Sequence, residues 1–234
     1  YGHFENFFFD YYPELAKNKI GVSPFTLQDG TIEKAMNFLK NFGLNRDDEF
    51  VLLYLNEDKK METPNVDVTQ YVTSVNYLID QGFKVIRLGN NKMSSMLERI
   101  GFIDLTKIER PMEVDIFVSA VAKFYFGSCA GPYPLSSTFG VPCCLTSQMP
   151  CRPSRPNDFV QTLQFRNIRT KQLIPIEHWE PVGLSGEAQY THFMRAGYEP
   201  SLPTHTQNLR LIKDMLEYLS GGAILSLNQA AKEQ

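Results

Sequence analysis

The stretch FGSCAGPYPLSSTFGVP (126–142) holds the residues best placed to do chemistry. Gly127 ends an apolar run, and small residues lead from it into a short helical turn. Backbone amides at such a turn can receive a phosphate, with the helix dipole in support. Ser128, Ser136, Ser137 and Thr138 add hydroxyl donors, and Gly131 permits close approach or positive φ. A tight strand-to-helix turn without a ligand has the same pattern. KVIRLGN (84–90) carries Arg87 near a strand end, followed by Gly89 and Asn90. An arginine there can grip a diphosphate bidentately, or it can pair with a nearby acid such as Asp104 or Asp115. The run NED (56–58) offers Glu57 or Asp58 as a carboxylate base or metal ligand, against the plainer alternative of solvated acids after a strand.

Other chemistries find no support. There is no G-x-G-x-x-G after a strand, no GxxxxGK[ST] and no G-x-S-x-G elbow, which removes the common dehydrogenase, P-loop and α/β-hydrolase readings. Cys129, Cys143, Cys144 and Cys151 lack ligand spacing, since Cys143 and Cys144 are adjacent, and the four histidines are scattered. No metal site is expected, and the cysteines read as mostly buried free thiols in a reducing compartment. A formal net charge of -3 argues against a broad grip on nucleic acid. No apolar run approaches the ~20 residues that cross a bilayer, and there is no secretory pattern at the start. The expectation is a cytoplasmic protein. Because Tyr1 stands first, the sequence is expected to be an excised piece or to lack its natural start.

These loops need elements to hold them. Residues 31–43 have apolar Ile32, Ala35, Met36 and Leu39 at helical spacing, and 69–82 repeat the pattern up to Gly82. FVLLYL (50–55), KVIRLG (84–89), FIDL (102–105), KFYFGS (123–128) and VPCCLT (141–146) read as strands. Short and longer helices are expected at 93–101 and 111–123, the second with Pro111 in its first turn. Helices alternating with buried strands predict an α/β fold, a Rossmann-like doubly wound parallel sheet. In such a sheet ligands lie beyond the carboxyl ends of the strands, which selects Asn56–Asp58, Gly89–Lys92, Gly127–Pro134 and Thr146–Gln148. Residues 160–204 show only short apolar groups, and 206–219 form a last amphipathic helix with Leu209, Ile212, Met215, Leu216 and Leu219 inward. The organisation expected is an aromatic-rich extension or inter-domain seam at 1–30, one domain at 31–220, and a tail at 221–234.

Taken in order, FVLLYLNED, TQYVTSVNYLIDQGFKVIRLGN and EVDIFVSAVAKFYFGSCAGPYPLSSTFGVPCCLT resemble a family of bacterial glycosyltransferases whose catalytic halves are similar to O-fucosyltransferase-type GT-B enzymes. The resemblance covers roughly residues 40–150, with a weaker echo at 206–219. It implies the donor-binding half of a GT-B enzyme, holding a nucleoside diphosphate sugar and needing no cofactor. Arg87, Gly89 and Asn90 with the loop Ser128, Ala130, Gly131 and Pro132 would surround the diphosphate, and Thr138 would add a hydroxyl. Asp115 would orient the base or that loop. Transfer would be inverting and metal-independent, with helix dipoles and basic side chains offsetting the charge of the leaving diphosphate. Glu57 or Asp58 would be the candidate base, although in GT-B enzymes the base often comes from the other half.

Two departures bear on activity. Family members carry a His/Ala-x-Arg-Asp-like sequence at the end of the first strand, where this chain reads Tyr54-Leu55-Asn56-Glu57-Asp58. Arg87, Arg152 or Arg155 takes over the missing charge, or transfer is lost. The length also matches one GT-B domain plus extensions. The acceptor half is then expected on a missing N-terminal half or a partner chain, docking at the aromatic stretch Phe4–Tyr12. The alternatives are a non-catalytic GT-B-like module acting through a protein partner or bound sugar nucleotide, an epimerase or hydrolase of the same fold, and a purely structural partner.

Overall fold

A computed structural model describes residues 25–57, 66–149, 158–174 and 186–221. Its centre is a six-stranded parallel sheet. The strands are β1 (Phe50–Tyr54), β2 (Lys84–Leu88), β3 (Phe102–Asp104), β4 (Tyr125–Ser128), β5 (Cys143–Gln148) and β6 (Phe159–Thr162). They lie in the order β3-β2-β1-β4-β5-β6. The inner strands are apolar at nearly every position because both faces are covered, as parallel sheets require.

Alternate residues of β1 divide the core. Phe50 and Leu52 face α1 (Asp29–Lys40) and α3 (Met112–Val121), where Ala35, Leu39, Val114, Phe117 and Val118 are buried. Val51 and Leu53 face α2 (Thr69–Asp80) and α6 (His205–Leu219), against Val75, Leu78, Ile212 and Met215. The expected parallel, doubly wound α/β fold is therefore present.

The chain runs outward from β1 to β2 to β3, then α3 returns it to the other side of β1 as β4. Strand order reverses between β1 and β4. The short α4 (Tyr133–Thr138) follows β4.

Three expectations change. Residues 93–101 carry apolar side chains at helical spacing, yet form no helix. The segment is held by other partners: Arg87 donates to the Ser94 carbonyl, Glu57 accepts from the Ser94 N–H, and the Arg99 side chain donates to Asn76. Thr146–Gln148 is not a loop but the end of β5. Ser147 there adopts φ 55°, and the β5–β6 register shifts between Leu145 and Gln148.

The third change is in the described part of 160–204, which holds more order than its composition suggests. Besides β6 it forms β7 (Gln164–Asn167), α5 (Gly186–Arg195) and β8 (Tyr198–Ser201), with β7 and β8 antiparallel. Met149, Leu163, Phe165 and Phe193 make a small core of their own there.

The last helix buries Asn208, Leu211, Ile212 and Met215, a face turned slightly from the expected one. Thr204 caps it: its Oγ1 accepts from the Gln207 N–H while Gln207 Oε1 accepts from the Thr204 N–H. Such a reciprocal cap makes Thr204→Ala cost about 1 kcal/mol, or about 2–4 °C of Tm in a chain this long. Calorimetry checks this, and an unchanged Tm would show that tertiary packing alone holds the helix.

No described helix is long and apolar enough to cross a membrane. The aromatic stretch Phe4–Tyr12, Asp58, Cys151, Arg152 and Arg155 lie outside the described residues.

Candidate functional site

Strand order reverses between β1 and β4, and in open α/β sheets ligands bind in a crevice beyond the carboxyl ends at such a point. Two loops lie there: Leu55–Glu57 after β1 and Cys129–Pro132 after β4. Tyr54 and Gly127 are register partners in the paired strands. Gly127 has φ 136°, and a Cβ there would stand 1.9 Å from the Tyr54 carbonyl oxygen. Glycine is thus the residue that lets the end of β4 lie this close to β1.

The loop that follows is braced from three sides. Ser128 Oγ accepts the Asn56 N–H at 2.9 Å, joining the two loops. Tyr125 OH donates to the carbonyls of Ser128 (2.6 Å) and Ala130 (3.2 Å) from below. Burial pushes the Tyr125 phenol well above its ordinary value, with smaller contributions from Cys143 and Cys129, so it remains a donor. At Gly131 (φ 58°) the backbone lies against the Tyr54 ring, where an added Cβ would meet ring carbons at 2.5–2.8 Å. Pro132 is the N-cap of α4. The expected serine donors part company here. Ser128 is in the loop, whereas Ser136 and Ser137 turn into the core, buried. Thr138 closes α4, its hydroxyl bonded back to the Pro134 carbonyl at 2.8 Å.

The β2 side of the crevice is ionic. Arg87 is completely buried, and its two terminal nitrogens are both engaged. Nη2 donates to Glu57 Oε1 at 2.6 Å; Nη1 donates to Asp104 Oδ2 at 3.1 Å and to the Ser94 carbonyl at 2.7 Å. Of the two acids named as alternatives, Asp104 is the one paired. It sits directly opposite Arg87 in the β2–β3 register. Asp115, in the first turn of α3, pairs with Arg110, which also donates to the Gly89 carbonyl at 3.1 Å. Gly89 has no room for a side chain, since a Cβ would meet Met93 Sδ at 2.1 Å. Asn90 shapes the next turn by accepting the Lys92 N–H.

This geometry revises two expectations. Arg87 does not face open solvent as a ready diphosphate ligand. Glu57 is not a free base: Oε1 takes the guanidinium and Oε2 accepts the Ser94 N–H at 3.0 Å. Both groups act first on each other. Tyr54, Tyr125, Ser94 and Arg110 complete the arrangement and were not visible as site residues. A separate cavity of about 390 Å³ lies beside β3, lined by Ser95, Met96, Leu97, Asp104, Thr106 and Lys107 among others. It shares Asp104 with the ionic network and nothing with the Cys129–Pro132 loop.

No family model matches the sequence, and no curated protein matches it. Several solved structures are similar in part. E. coli ADP-heptose LPS heptosyltransferase II is 12% identical with a TM-score of 0.46, the likeness covering 60% of this chain and 44% of that one. The glycosyl transferase family 9 protein of Veillonella parvula DSM 2008 is 14% identical with a TM-score of 0.42, over 58% and 38%. E. coli heptosyltransferase WaaC, solved with ADP-2-deoxy-2-fluoro heptose, is 21% identical with a TM-score of 0.39, over 66% and 47%. The chain spans less than half the length of each of these proteins.

Proposed function

We propose that this chain is the donor-binding half of a GT-B glycosyltransferase and seats a nucleoside diphosphate sugar across the β1/β4 crevice. One observation carries the reading: the Ser128–Pro132 loop, which follows Gly127 and is braced by Asn56, Tyr125 and Tyr54, lies at the switch point of the sheet. The O-fucosyltransferase-type resemblance of residues 40–150 supports it. Ser128, Ala130, Gly131 and Pro132 would line the diphosphate, with Gly89 and Asn90 flanking it and Asp115 holding Arg110 beneath Gly89. Thr138 stands at the far end of α4 and plays a lesser part. In the transfer an acceptor oxygen bonds to the anomeric carbon as the bond to the diphosphate oxygen breaks. The diphosphate leaves with the electron pair, and the acceptor proton passes to a base. Glu57, doubly bound, is not given that step, and the acceptor site belongs to the second domain of a GT-B enzyme.

A non-catalytic module that binds a sugar nucleotide is the second reading, favoured by Asn56 standing where family members carry arginine. A thermal-shift screen with GDP, UDP, CDP, dTDP and ADP tests the shared donor site. At 100 times its Kd the correct nucleotide stabilises the fold by about 2.7 kcal/mol, and Gly131→Ala, which drives a methyl into the Tyr54 ring, abolishes the response. No shift with any of the five nucleotides would sink the donor-site reading. Incubation with the matching sugar nucleotide and product analysis then separates transfer from binding.

A further inference from the structure

The ionic network holds one guanidinium and two carboxylates, and the two acids are not equivalent. Asp104 is fixed twice over, by Arg87 and by the N–H and hydroxyl of Thr106 at 3.0 and 2.7 Å. Among the described residues Glu57 is held by Arg87 Nη2 and the Ser94 N–H alone, and its side chain keeps a solvent edge of 13%. If Glu57 swings away, Asp104 and the Ser94 carbonyl still partner the buried arginine, so no uncompensated charge is left inside. Glu57 is the exchangeable member.

The place it occupies is defined by a guanidinium N–H and a backbone N–H converging on one anion. Phosphoryl oxygens take the same pair of donors. Arg87 Nε, also buried, has no partner among the described residues, so the guanidinium has spare donor capacity there. The seat adjoins the loop that would hold a diphosphate, because Asn56, next in sequence to Glu57, donates its N–H to Ser128.

We propose that Arg87 Nη2 and the Ser94 N–H form an anion seat which Glu57 fills as a tethered plug, and that a phosphoryl oxygen of a diphosphate ligand displaces Glu57 to occupy it. This rests on the donor-site reading above and adds its regulation. The protein binds diphosphates with an affinity reduced by the fraction of time the plug is in place. No covalent bond changes; one carboxylate is exchanged for one phosphoryl group.

Isothermal titration of the whole chain with inorganic pyrophosphate tests the plug, using wild type, Glu57→Asp and Glu57→Ala, each first checked for folding by circular dichroism. If the seat is open no more than about a tenth of the time, Glu57→Ala binds at least about tenfold tighter than wild type. Glu57→Asp keeps the charge but is one methylene too short to reach both donors, so it gains affinity too, by a smaller factor. A gain in the alanine variant alone would mean a charge effect and overturn the plug, as would no gain in either. Should the alanine variant not fold, the aspartate variant decides by itself. Wild-type binding of nucleoside diphosphates without a gain in the Glu57 variants leaves the donor site standing and removes the plug. Tighter pyrophosphate in the variants, with no nucleotide bound by wild type, does the reverse.

Discussion

Gly127→Ala is expected to be the most damaging single methyl group in this protein. Two costs combine at that position. The backbone sits at φ 136°, where a side chain brings strain of order 1–3 kcal/mol. The added carbon would also stand 1.9 Å from the Tyr54 carbonyl oxygen, a main-chain atom of the central strand that cannot rotate away. Relief requires β4 to part from β1, which would disturb cores on both faces. A loss of about 4 kcal/mol or more is expected, in the range reserved for broken cores and strained backbones. Urea denaturation measures it directly. A loss under about 1 kcal/mol would mean that the β1–β4 pairing is far more pliable than its hydrogen bonds imply.

Arg87→Met ranks second. The substitution fills a similar volume with an apolar chain but leaves Glu57 and Asp104 without their shared cation. Removing one member of a buried ionic group costs about 3–5 kcal/mol. The lower end applies here, because the two carboxylates retain 13% and 25% exposure and can be partly hydrated. The mechanism has a signature: adding Glu57→Gln and Asp104→Asn to Arg87→Met should recover part of the loss, since the orphaned charges are then gone. Recovery would be absent if the damage were one of shape. The double and triple variants, compared by denaturant midpoint, separate these cases.

Much of this architecture is written in residue order. FVLLY and KVIRL announce buried strands because both sides of a parallel sheet are covered, and the glycine and small residues after Phe126 mark the crevice loop. What was hidden depends on register and reach. That Arg87 takes Asp104 while Asp115 takes Arg110 follows from β2 lying beside β3 with residues 87 and 104 opposed, a property no single strand carries. Ser136 and Ser137 fall in a helix of six residues, too short for periodicity to reveal which side faces the core. Residues 93–101 have helical spacing, but Ser94 is held through main-chain atoms by an arginine and a glutamate distant in sequence. The strands FVQT, QFRN and YEPS are half-buried and four residues long, so they never generate an apolar run.

The two faces of the sheet also differ in when they can be completed. Every fully buried residue of the α1/α3 face lies between Ala35 and Leu145. The α2 face is finished only by Leu211, Ile212 and Met215 of the last helix, which is clasped to α2 through Gln70, His205 and Asn208. During synthesis from the N-terminus, one side of the sheet can therefore close while the other still shows Cys144 and Phe159, which pack against the last helix, to water. A nascent chain paused before His205 is a half-roofed sheet, and its vulnerability to aggregation lies on that one side.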